Sequence, residues 1–194
     1  MAINLQKGQK ISLSKEASGL TKITMGLGWD AAKKGGMLGG LFGGNGGSID
    51  LDASCALFDE QKNCIDTIWY GKLRSKDGSI THTGDNLTGD GDGDDEQIIV
   101  DLTKVSENVK YLVFTVSSFT GHTFKDVENC YCRLVDNNTQ KEVAKYNLND
   151  QGAHTSQVMV KLYRHNGEWK LHALGTNCSG RTLEQIIPTI IPNL

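Results

Sequence analysis

A succession of short apolar runs, each closed by turn-forming residues, leaves this chain little to become except a β protein. The runs are Ile11–Leu13, Lys22–Leu27, Ile49–Phe58, Cys64–Tyr70, Gln97–Leu102, Tyr111–Ser118, Tyr131–Val135, Val143–Leu148, Ser156–Arg164 and Trp169–Gly175. Between Ile49 and Phe58 the pattern alternates, with Leu51, Ala53, Cys55 and Leu57 facing one way and Asp50, Asp52 and Ser54 the other. Asn166-Gly167, set between Arg164 and Trp169, is a two-residue hairpin signature, and Asp77-Gly78 marks a second turn. Many short strands with regular turns predict an all-β fold, a sandwich of two antiparallel sheets. Helical spacing occurs only at the end, where Thr182 and Gln185 form a capping-box pattern ahead of Leu183, Ile186, Ile187 and Ile190. Pro188 and Pro192 hold that helix to a couple of turns, and its expected place is as a lid on one end of the core.

The 194 residues suit one domain, expected to span 1–194. Residues 35–47 form a glycine-rich insert carrying Met37, Leu38, Leu41 and Phe42, too apolar for an inert linker. It is no phosphate-binding loop, since no Gly-Lys-Ser/Thr closes it. Gly26-Leu27-Gly28-Trp29-Asp30-Ala31 matches a dinucleotide fingerprint in letters only, because the required helix does not follow. Glycines in a strand mark a bulge or a close backbone approach instead. No nucleotide is expected, and no nucleic acid, because no basic stripe with interleaved aromatics is present. The N-terminus lacks signal-peptide regions and no apolar run approaches the ~20 residues of a membrane span, so a cytoplasmic location is expected. Five cysteines at 55, 64, 130, 132 and 178, an odd number, argue against a disulfide framework there. Cys130-Tyr131-Cys132 lacks the further ligands of a zinc site and is expected to pack.

Chemistry concentrates in residues 84–96, Gly84-Asp85-Asn86-Leu87-Thr88-Gly89-Asp90-Gly91-Asp92-Gly93-Asp94-Asp95-Glu96. Two carboxylates about 5 Å apart at an effective dielectric near 20 repel by roughly 3 kcal/mol. A hard divalent cation relieves that repulsion, and glycines let backbone carbonyls turn inward to join it. The net charge is −3, and without the six acids of this segment it would be +3, so the acidity is local. An EF-hand is excluded: counted from Asp90, position six is Asp95 where glycine is needed, and no helix flanks the loop. Asp50 and Asp52, two apart on a strand, leave one face together and can meet the loop across a shared ion. With Asp30 added, the candidate metal ligands are Asp30, Asp50, Asp52, Asp85, Asn86, Gly89, Asp90, Gly91, Asp92, Asp94, Asp95 and Glu96. They outnumber one ion's needs, so two Ca2+ ions are expected. His82 is read as a packing or hydrogen-bonding residue.

These segments resemble the signatures of the TerD-type tellurium-resistance and stress-response proteins. The resemblance rests on Gly26-Leu27-Gly28-Trp29-Asp30, Asp50-Leu51-Asp52-Ala53-Ser54, His82 to Gly89, Gly91 to Glu96 and Tyr163 to Trp169. The glycine-rich insert and the surroundings of Cys55 are most similar to the TerZ branch. The resemblance implies a cytoplasmic calcium-binding β-sandwich, encoded with other ter proteins and linked to tolerance of tellurite, phage and colicins. Many relatives carry Glu where this chain has Asp90. The expected role is a non-enzymatic calcium-binding module whose partners are other ter-system proteins or the inner-membrane surface. An elbow-type nucleophile set is absent. The alternative is a metal-assisted hydrolase, with the acidic cluster holding the metal and His82 as base.

Overall fold

The computed structural model describes residues 2–31, 49–87, 93–148 and 152–194. The expectations for the 35–47 insert and for Gly89, Asp90, Gly91 and Asp92 fall outside them. Twelve strands run in chain order: β1 (Ile3–Asn4), β2 (Lys10–Ser12), β3 (Lys22–Ala31), β4 (Asp52–Phe58), β5 (Cys64–Ile68), β6 (Ile80–His82), β7 (Glu96–Asp101), β8 (Tyr111–Ser117), β9 (Val127–Asp136), β10 (Lys141–Asn147), β11 (Ser156–His165) and β12 (Glu168–Cys178). They form two six-stranded sheets, ordered β1-β10-β9-β3-β7-β6 and β2-β12-β11-β8-β4-β5. Only the β1–β10 pair is parallel among the strand pairs of the described residues. The all-β sandwich read from the sequence is therefore the fold.

The core lies between the sheets, in one apolar cluster that includes Ile23, Met25 and Leu27 of β3 and Ala53, Cys55 and Leu57 of β4. The β11–β12 hairpin turns through Asn166 (φ 52°) and Gly167 (φ 78°), with His165 paired to Glu168. Positive φ at both central residues is what a primed turn requires, and Asn-Gly supplies it at low cost. Gly26 and Gly28 are close approaches, as their strand setting suggests: a Cβ on Gly26 would meet the Asp94 carboxylate at 2.2 Å. The β3–β9 register slips just after Gly28.

Several features depart from the sequence reading. The strand-like run at Ile11–Leu13 ends at Ser12, and Leu13–Glu16 forms a one-turn helix, α1. β4 begins at Asp52, so Asp50 precedes the strand and does not share it. The C-terminal helix α2 (Leu183–Ile190) lies on the outer face of the second sheet and not over an end of the core. Its Leu183, Ile186 and Ile190 join Ala56, Phe58, Val113 and Val158 in a second apolar cluster. Every residue of β4 is buried in consequence, including Asp52 and Ser54 on its polar side. The Thr182–Gln185 capping box is also not made. Thr182 is the N-cap without a side-chain bond, and Gln185 Oε1 accepts the Arg181 N–H at 2.8 Å. Among the described residues, no helix is long and apolar enough to cross a membrane.

Candidate metal centre

β5 pairs with β4 only from Cys55 onward, so at Ala53 the strand has an unpaired edge inside the protein. Side chains of the opposite sheet satisfy it. Glu96 Oε2 at the head of β7 accepts the Ala53 N–H at 2.6 Å, and His82 Nε2 at the end of β6 lies 3.1 Å from the Ala53 carbonyl. The Gly84 N–H donates to His82 Nδ1 at 3.1 Å, which leaves Nε2 as the donor to Ala53. Both side chains are fully buried, with His82 Nε2 3.5 Å from Glu96 Oε2. Glu96 Oε1 also accepts the Asn86 N–H at 3.2 Å. This lattice pulls the segment after β6 against the start of β4.

There the structure assembles its acidic group. One carboxylate oxygen from each of Asp50, Asp52 and Asp85 lies within 4.8 Å of the others. Asp52 Oδ2 and Asp50 Oδ1 are buried without a hydrogen-bond partner. Burial, followed by the charges of Glu96, Asp50 and Asp85, pushes Asp52 up to about 7, although the Phe119 N–H pulls it down. Asp50 is raised by burial and then by Asp85 and Glu96, while His122 works the other way. Unpaired buried carboxylate oxygens are costly. Here they converge with a third, and no amine or guanidinium among the described residues is bonded to them. An all-oxygen set of this kind fits a hard cation and not a soft one.

Of the other expected ligands, those among the described residues are placed elsewhere or already engaged. Asp94 forms a two-pronged pair with Arg133 of β9, Nε–Oδ1 2.7 Å and Nη2–Oδ2 3.2 Å. It also accepts from Gln97 Nε2 at 3.2 Å. Asp95 accepts the Trp29 N–H at 2.9 Å and Asn86 Nδ2 at 3.1 Å. Burial raises Asp95 more than the Trp29 bond lowers it, and Asp30, Asp94 and Glu96 add to the rise. Asp30 is exposed at the end of β3 and accepts Asn129 Nδ2 at 2.7 Å. Asp94, Asp95 and Glu96 thus tie the end of the acidic segment to three different strands. Among the described residues, one carboxylate group meets the spacing an ion needs.

Two features near the centre are not evident from the sequence. A cavity of about 270 Å³ opens beside Asp52, walled by Trp69, Tyr70, Phe119 and Arg181. His122, which lowers Asp50, sits in a segment with no ligand-like pattern. The hydrolase alternative named His82 as base, yet both its nitrogens are engaged and its side chain is sealed from solvent.

A sequence model of the TerD domain matches residues 1–189. The chain belongs to the TerD family. It is 54% identical over 189 residues to the tellurium resistance protein TerZ of Serratia marcescens, covering 97% of each chain. It is 44% identical to the stress response protein SCP2 of Bacillus subtilis (strain 168), covering 96% of this chain and 98% of that protein. Identity to TerD of Serratia marcescens is 39%, over 93% of each. These relatives carry resistance and stress-response names and no enzyme name. A TerD-family fold is also seen in the crystal structure of a homologue of telluride resistance protein (TerD) from Streptomyces coelicolor A3(2). That chain superposes with a TM-score of 0.67 at 18% identity, covering 87% of this chain and 96% of that one.

Proposed function

We propose that this TerD-family protein is a calcium-binding, non-enzymatic module of a tellurium-resistance and stress-response system. The observation that carries the reading is the Asp50–Asp52–Asp85 group, with two buried carboxylate oxygens that have no protein partner. Calcium suits it because the donors are all oxygen and one of the three side chains is exposed, leaving room for water and backbone oxygens. Asp50, Asp52 and Asp85 would hold the ion. Bound there, calcium supplies positive charge that neutralises the group. Glu96 and His82 hold the two sheets in register so that the three carboxylates stay together.

A calcium-loaded surface next to an aromatic-walled cavity is a means of binding partners conditionally, and other proteins of the same system are the proposed partners. Residue 52 lies on both the ion group and the cavity wall, so loading the ion alters that wall's charge. Calorimetric titration of the chelated protein with calcium tests the reading. Saturable binding that Asp50→Asn and Asp85→Asn each weaken at least tenfold supports it. Titration heats that match the buffer blank would dismiss it.

A further inference from the structure

On the second sheet, away from the acidic group, β2, β12 and β11 place Lys10, His172 and Lys161 directly opposite one another in a single cross-strand row. The outer face of the sheet beside this row is covered by α2 and the turn that follows it. Like charges set across neighbouring strands are destabilising unless something negative joins them. Lys161 is the sharper case, since its residue is only 9% exposed. A buried ammonium is costly without a counter-charge. The partners found for it are the Asn193 carbonyl, which accepts from Nζ, and the faces of Tyr111 and Tyr163 at 5.6 and 5.5 Å. Burial lowers the Lys161 ammonium's pKa, and Lys10 and Lys62 lower it further. His172 Nδ1 is buried without a hydrogen-bond partner, and that ring's pKa is also lowered by burial, Lys161 and Lys10.

These groups open onto a cavity of about 270 Å³, and Lys110 stands at its edge, 3.9 Å from the exposed Glu60. No aspartate or glutamate side chain lines it, and Leu194 closes the side next to Asn193. Arg164 also borders the space but is committed, stacking on Trp169 and donating to the Val105 and Val109 carbonyls. The geometry points to a binding site for a phosphate-type oxyanion, free or as the terminal group of a monoester, held by Lys161, Lys10 and His172. Ammonium groups serve as point-charge donors to such an anion, and the imidazole between them offers a further N–H once protonated. The tyrosine faces narrow the space around Lys161. The site shares no residue with the carboxylate group and stands whether or not that group binds calcium.

The test is calorimetric titration of the full chain with inorganic phosphate and, separately, with glycerol 1-phosphate, each with EDTA present. Saturable binding of either probe at one site is expected. Lys161→Met should weaken it at least tenfold. Lys10→Gln, an exposed change on an edge strand that leaves the core untouched, should weaken it several-fold. Tighter binding of the ester would assign the site to phosphate monoesters, and equal binding to the free ion. Absence of saturation with both probes would overturn the assignment. So would binding that the folded Lys10→Gln protein retains at full strength, or heats seen only when EDTA is left out.

Discussion

Replacing Asp52 by Asn should change the protein's stability in opposite directions depending on calcium. Without the ion, Asp52 is a buried acid whose folded-state pKa is raised from 3.8 to about 7. The native state therefore holds a proton that the unfolded chain releases, and stability falls as pH rises through the window from about 4 to 7. Taken whole, a shift of about three units corresponds to about 4 kcal/mol at pH 8. The carboxylate borders an open cavity, so solvent screening reduces the share to be recovered to about 1–2 kcal/mol. Asparagine keeps the shape and can still accept the Phe119 N–H, while removing the charge that Glu96, Asp50 and Asp85 oppose. In EDTA at pH 8 the variant should melt roughly 2–8 °C higher than wild type. In calcium at a hundredfold excess over Kd, wild type gains about 2.7 kcal/mol that the variant largely forgoes, and the order inverts. Scanning calorimetry of both proteins under both conditions reads the crossover. A variant less stable than wild type in EDTA as well would show that Asp52 is held by protein contacts and not by a missing cation, and the reasoning would fail.

On the proposed reading protons and calcium would compete for the same oxygens, so calcium affinity should rise with pH through about 7 and level off above, measured by titration between pH 5.5 and 8.5. Glu96→Gln puts an amide NH2 against an N–H donor at either Ala53 or Asn86, and about 1–3 kcal/mol of stability should be lost in urea unfolding. Ile186→Ala opens a void in the cluster beneath α2 and should cost about 2–4 kcal/mol, read by the same assay. A thiol reagent should label exposed Cys64 fastest in the native protein. Buried Cys55, Cys130 and Cys132, whose thiols burial pushes up, should react only on unfolding.

Local patterns carried most of the fold. Period-two runs and the Asn166-Gly167 turn depend on adjacent residues, so they are readable in one dimension. β1 and β6 span two and three residues, too few to show a period. The outer side of β4 was misleading for a different reason. Asp52 and Ser54 mark it as polar, but the apolar stripe that covers the rest of it comes from α2, some 130 positions later in the chain. The same contrast divides the acidic residues. Crowded charge marked the region, and Asp50, Asp52 and Asp85 do converge. That Asp94 is neutralised by Arg133, and that Glu96 serves a backbone edge of the facing sheet, depend on partners roughly forty residues away. Nothing in the spacing of the acids separates those two jobs from ligation.

Asp50 and Asp52 lead into one sheet, whereas Asp85 follows the last strand of the other. An ion shared among them would act as a clasp across the mouth of the sandwich, beside the place where Ala53 already leans on borrowed side chains. Unfastening it should be felt first as quickened amide exchange at Ala53 and Asn86, while the far hairpin at Asn166 stays closed. A change in ion supply would thus be translated into the gape of one end of the molecule.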